Sequence, residues 1–116
     1  MYLIVENDSM AQITHEIRHG LSIDQAKQAA KLALADYQRR YADKGLDARW
    51  ISDVRAEIEF SAKGAKVQAV VDVLPDVLKV DAKVPFVLRP FKSVAVNAVE
   101  QEAQKWIRQV REARSA

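Results

Sequence analysis

Cysteine is absent from the chain, which removes disulfides and thiolate metal sites and permits a reducing compartment. Glycine occurs only 3 times and never as GxGxxG or GxxxxGK[ST], so no backbone loop is built to cradle phosphate. Proline also occurs 3 times, without clustering, and there is no linker, internal repeat or low-complexity stretch, so the 116 residues read as one domain. Long hydrophobic runs are missing: none approaches the ~20 residues of a membrane span. The start MYLIVENDS lacks a basic n-region and meets Glu6 early, so the expected location is the cytoplasm. An excess of one charge is missing too, since 18 basic and 16 acidic residues leave a net charge of +2, which argues against a polyanionic partner.

Catalytic constellations are equally scarce. The 2 histidines sit together near the start, with no GxSxG-like context for a nucleophile. His15 and His19 have the spacing of a helical metal pair, but on a strand they stand ~13 Å apart and cannot share an ion. His15 is expected as a satisfied core residue and His19 as a turn residue. The expectation is a protein that is not an enzyme, with no catalytic residue, cofactor or metal ligand to assign.

What is present is patterning. From Arg55 to Phe86 the apolar residues keep one parity within each run: Ala56, Ile58, Phe60; then Val67, Ala69, Val71, Val73; then Leu78, Val80, Ala82, Val84, Phe86. Two-residue turns at Lys63-Gly64 and Pro75-Asp76 would set Phe60 opposite Val67, Ile58 opposite Ala69, Val73 opposite Leu78 and Val71 opposite Val80, keeping one face apolar throughout. On the other face Asp72 would sit opposite Lys79 as a charge pair. That face, carrying Glu57, Glu59, Lys66, Gln68, Asp81 and Lys83, is too polar to lie under a second layer.

Around this hairpin pair the chain reads as follows. Residues 1–9 form an N-terminal extension in which YLIV suits a strand and ENDS a turn, and Met10 offers an alternative start. Gln12–Arg18 alternates as a strand with Ile13, His15 and Ile17 on one face. Ser22 with Gln25 makes a capping box that opens a helix expected to reach about Asp43 and stop at Gly45. Its inner stripe is Ile23, Ala26, Ala30, Ala33, Tyr37 and Tyr41 with Leu34 beside them, and Lys27, Lys31, Arg39 and Arg40 make a basic outer surface. Leu46–Val54 holds a further strand. After Phe86 the period changes, and Leu88, Phe91, Ala95, Val99, Ala103, Trp106 or Ile107, and Val110 form the stripe of a second long helix starting near Arg89-Pro90 and reaching about Arg114. The expected fold is α+β in two layers: an antiparallel sheet of four to five strands, two long helices on one face, order β-α-β-β-β-β-α, with residues 10–116 as the single domain.

Taken together, RHGLSIDQAKQAA from Arg18 to Ala30, Trp50, the central hairpins, and VPFVLRPFKSVAVNAVEQEAQKWI from Val84 to Ile107 resemble the polyhydroxyalkanoic acid system family, also called the polyhydroxyalkanoate granule region family. One departure is the single glycine in Lys63-Gly64-Ala65-Lys66, where members often carry a Gly-rich segment. The resemblance implies a non-catalytic accessory protein of bacterial polyhydroxyalkanoate storage, granule-associated or regulatory, whose partner is the granule surface or a granule protein. On that reading Phe91, Trp106 and Ile107, or Trp50 if it faces outward, are the candidate partner-binding residues, with core packing as the competing role for each. Two alternatives come from the same element order: a ribosome- or RNA-associated factor using its basic helix faces, and a helix-grip carrier of a small apolar ligand, which needs a pocket of ~300 Å³ or more.

Overall fold

The computed structural model describes residues 10–62 and 64–115. Residues 1–9, read above as an extension, and Lys63, read as a turn residue, lie outside the described residues. The chain runs through β1 (Met10–Arg18), α1 (Ile23–Arg40), a 3-10 turn (Ala42–Lys44), β2 (Asp47–Trp50), β3 (Arg55–Ala62), β4 (Ala65–Val73), β5 (Val77–Pro85), a 3-10 helix (Phe86–Phe91) and α2 (Lys92–Ser115). All 5 strands pair antiparallel in the order β1-β5-β4-β3-β2. The expected α+β class and element order therefore hold.

The hairpin registers follow from parity and turn chemistry. Phe60 faces Val67, Ile58 faces Ala69 and Ala56 faces Val71 across the first hairpin. Gly64 takes φ +78°, the left-handed conformation that the turn requires and that a side chain resists. Across the second, Val73 faces Leu78 and Val71 faces Val80, and the Leu74 N–H donates to the Val77 carbonyl at 2.9 Å to close the Pro75-Asp76 turn. Asp72 does face Lys79 in the ladder. Its ion pair, however, is with Arg55, whose Nε and Nη2 reach the two carboxylate oxygens at 2.6 and 3.1 Å, while Lys79 lies 3.9 Å from Asp81. A guanidinium fork matches both oxygens and displaces the single-point lysine contact.

Helix α1 starts on the expected capping box, with Ser22 and Gln25 bonding each other's backbone N–H groups. Its regular turns stop at Arg40, earlier than expected. The chain tightens into the 3-10 turn and leaves through Gly45 at φ +72°. Ala26, Ala29 and Ala30 let α1 approach the sheet closely, where they meet Ile17, Val73 and Leu78 from the strands and Ala103, Ile107 and Val110 from α2. His19 completes this end: it is 1% exposed, its Nε2 bonds the Leu74 carbonyl at 2.8 Å, and its Nδ1 accepts from the Leu21 N–H at 3.0 Å. The satisfied core histidine is thus His19 rather than His15.

The helices cover only part of the apolar sheet face. The row Ile17, Leu78, Val73 is buried, whereas the row Ile13, Ala82, Ala69, Ile58 further along the strands is half-buried. Phe86 does not continue β5 as the parity predicted. The strand ends at Pro85, which has no N–H to give the ladder, and the chain turns into the 3-10 helix that buries Leu88. Among the described residues no helix is long and apolar enough to cross a membrane.

Candidate functional site

The aromatic and aliphatic residues singled out by sequence fall into two environments. Ile107 is 1% exposed and belongs to the core. Trp106 packs against that core half-buried, and its Nε1–H donates to Glu102 Oε2 at 2.7 Å. Trp50 lies on the inner face opposite Ala56, half-buried against the core, with the Lys31 ammonium 5.9 Å from its ring centroid. Phe91 alone of the set is exposed, at 43%. Phe86, Val87 and Val94 are exposed beside it in the chain, the two valines at 70%. Of the expected α2 stripe, Leu88 is buried but sits in the 3-10 segment, Phe91 and Ala95 are exposed, and packing against the core resumes at Val99. Pro85 and Pro90 bracketing the 3-10 segment were the sequence signal for this departure.

Where α2 runs out over the sheet it leaves a groove of about 330 Å³ lined by His15 of β1 and by Lys92, Ser93, Val96, Asn97 and Glu100 of α2. His15 is on the inner face as its parity requires, but it lies at the margin of helix cover. Its Nε2 meets Glu100 Oε1 at 2.7 Å, and Gln104 Nε2 donates to Glu100 Oε2 at 2.8 Å. Both carboxylate oxygens are held. The Gln104 hydrogen bond above all, and then His15, keep the Glu100 carboxyl below the usual range against the opposing effect of burial. Spacing of i, i+4 along α2 brings Lys92, Val96, Glu100 and Gln104 to one side of the helix.

The two helices are tied together by a buried acidic pair that sequence reasoning missed, because Asp36 falls just off the apolar stripe. Asp36 and Glu102 are both buried. Arg40 spans them, with Nε 3.2 Å from Asp36 Oδ2 and Nη2 2.8 Å from Glu102 Oε1, and Arg39 bonds Asp36 as well. Hydrogen bonding with Glu102 first, then the Arg40, Arg39 and Lys105 charges, holds the Asp36 carboxyl below the usual range although burial opposes it. Tyr37 donates its hydroxyl to the Ala98 carbonyl at 3.1 Å, and burial with the nearby Glu102 charge pushes its phenol up to about 12. The basic residues read as an outer surface of α1 are thus largely engaged within the fold, Lys27 included, at 3.6 Å from Asp24 and 4.0 Å from Asp53.

The outer sheet face holds a depression of about 380 Å³, but its charges are arranged as pairs: Arg49 with Glu57 at 2.8 Å, Lys66 with Glu59 at 3.4 Å, and the Thr14 hydroxyl on Asp81 at 2.6 Å. Among the described residues no group of three or more His, Asp or Glu side chains is placed to hold a metal ion.

The fold and the groove define a small two-layer α+β protein whose second helix overhangs a one-sided sheet. The sequence profile of the putative polyhydroxyalkanoic acid system proteins matches residues 13–111, and the chain belongs to that family. Among solved structures, the protein TTHA0849 from Thermus thermophilus is similar over 92% of this chain and 99% of that one, at 13% identity and a TM-score of 0.44. A search of curated proteins finds no match.

Proposed function

We propose that this protein is a non-catalytic accessory factor of polyhydroxyalkanoate storage in the bacterial cytoplasm, docking on the polyester granule or on a granule protein through the segment Phe86–Val94. One observation carries the reading: four large apolar side chains, Phe86, Val87, Phe91 and Val94, stand exposed within that one stretch. Removing them from water is favourable, and contiguous exposed apolar surface marks interaction sites. A polyester surface is apolar and needs no shaped partner. The docking element is then the overhanging start of α2 and the 3-10 helix before it, with Phe91 retained from the candidates above, while Ile107 belongs to the core and Trp106 and Trp50 pack against it.

The test is recovery with buoyant granules on a density gradient, comparing the native chain with a Val87→Asp/Val94→Asp double variant. The expected result is a variant that melts like the native protein and no longer travels with granules. Unchanged granule recovery of that folded variant sinks the reading.

A further inference from the structure

The large apolar side chains left in water are not scattered. Among the described residues ten are exposed, and eight of them fall into two groups of four. One group is Phe86, Val87, Phe91 and Val94, just past the end of β5; the other is Ile23, Ile51, Val54 and Leu74, which three loops bring together. The Val54 carbonyl accepts from the Val73 N–H at 2.7 Å, which sets the β2–β3 turn beside the β4–β5 turn. His19, just ahead of α1, bonds the Leu74 carbonyl at 2.8 Å. Lys27 lies 4.0 Å from Asp53, and Ile23 shares the Lys27 side of α1 at spacing i, i+4. The two groups therefore lie beyond opposite ends of β5, a strand of 9 residues, and stand about 26 Å or more apart. Only Leu32 and Tyr41 are exposed elsewhere, along α1 and at its cap.

The charges around the two groups are opposite. From Ala82 to Val99 the chain carries Lys83, Arg89 and Lys92 and no carboxylate. The other end sets the exposed Asp24, Asp53 and Asp76 among its apolar side chains. Cations there are already engaged: Lys27 is shared between Asp24 and Asp53, and Arg111 donates to the His19 carbonyl. Arg18 and Arg55 lie on the outer sheet face by their parity. Each end thus has its match in apolar content and charge on the same molecule. We propose that the two ends bind each other in successive copies: the Phe86–Val94 segment of one copy seats on the Ile23, Ile51, Val54, Leu74 end of the next, with Arg89 and Lys92 against Asp24 and Asp53. Unlike surfaces meet in this contact, so it is head-to-tail and its repetition gives an open chain of copies. Four apolar side chains a side fall short of the ~20–30 residues of a standard interface, so the association is weak and needs high concentration. Copies joined in this way cover their own granule-docking segment, and granules compete for it. That consequence rests on the docking role proposed above; the contact between copies does not.

The experiment is sedimentation velocity of the purified full chain, without granules, from about 10 µM to about 1 mM. The expected result is a sedimentation coefficient that rises with concentration beyond that of a dimer. Val87→Asp/Val94→Asp removes one end and Ile51→Asp the other; these side chains are exposed, so both variants should melt like the native chain and each should stay monomeric alone. Mixed, they should form a dimer and stop there, because each supplies the end that the other lacks. Asp53→Lys in the otherwise native chain should weaken association several-fold, and it tests the acidic end even if Ile51→Asp fails to fold. Monomer at every concentration overturns the proposal, as do a mixture that stays monomeric, full self-association by either folded variant, and association unchanged by Asp53→Lys. Failure of the docking role appears separately, as granule recovery unaffected by Val87→Asp/Val94→Asp while the native chain still self-associates.

Discussion

Helix α2 is one continuous element with two unlike halves. From Val99 to Val110 it turns Ala103, Ile107 and Val110 into the core and is clamped to α1 through Glu102; from Lys92 to Ala98 every residue but Val96 is exposed. The hydrophobic periodicity is similar in both halves, so periodicity alone does not bury a helix face. What separates them is the second layer: the contacts from α1 fall on the later half, with the Tyr37 hydroxyl on the Ala98 carbonyl and Arg40 on Glu102. The difference teaches that an apolar stripe longer than its partner layer becomes a surface.

The comparison is broken hardest at Ile107. Ile107→Ala should cost about 2–5 kcal/mol, because the removed atoms leave a cavity among packed neighbours, whereas Val94→Asp should stay within ~0.5 kcal/mol. Denaturant unfolding of both variants checks this, and equal losses would show that the overhanging half is packed after all. Next in size is the clamp. Asp36→Asn leaves Arg40, Arg39 and Lys105 facing a neutral amide, and should lower the melting temperature more than Glu57→Gln on the solvated sheet face.

Titration sharpens the same contrast. Asp36 and Glu100 both have carboxyls held below the usual range in the folded protein, so their stabilisation is present above the unfolded carboxylate pKa and is lost as pH falls through the folded values. Melting temperature should therefore drop on acidification, and Asp36→Asn should flatten that drop. Tyr37 works in the other direction: its folded pKa of about 12 lies above the ordinary phenol value of 10.0, so stability is full below about pH 10 and declines as pH rises toward 12. Tyr37→Phe should remove this alkaline component in a pH-dependent melt. The smallest effect on stability, and the largest on docking, is expected from Val87→Asp/Val94→Asp.

Several features are legible in the sequence because they depend on neighbours along the chain. The Ser22–Gln25 capping box involves residues three apart. Both hairpin registers follow from a period of two and a two-residue turn, so each apolar pair is named once the turn is placed. Other features were not legible because they depend on where two helices cross. Asp36 and Glu102 lie 66 positions apart in sequence and meet only when α1 and α2 pack. His15 and His19 share a strand end, yet which of them is enclosed depends on how far the helix layer extends; the turn encloses His19, and the groove leaves His15 at its edge.

By itself the sequence determined the inner faces of β1 and of the central hairpins, the hairpin turns and the start of α1, since alternation, capping and proline or glycine chemistry act over a few residues. Tertiary structure decided which part of each apolar face is covered. It left Phe86, Val87, Phe91 and Val94 in water, put Ile107 out of reach and gathered His15, Lys92, Ser93 and Asn97 around one groove, because burial is set by the length and position of the opposing layer and not by the pattern on the element it covers.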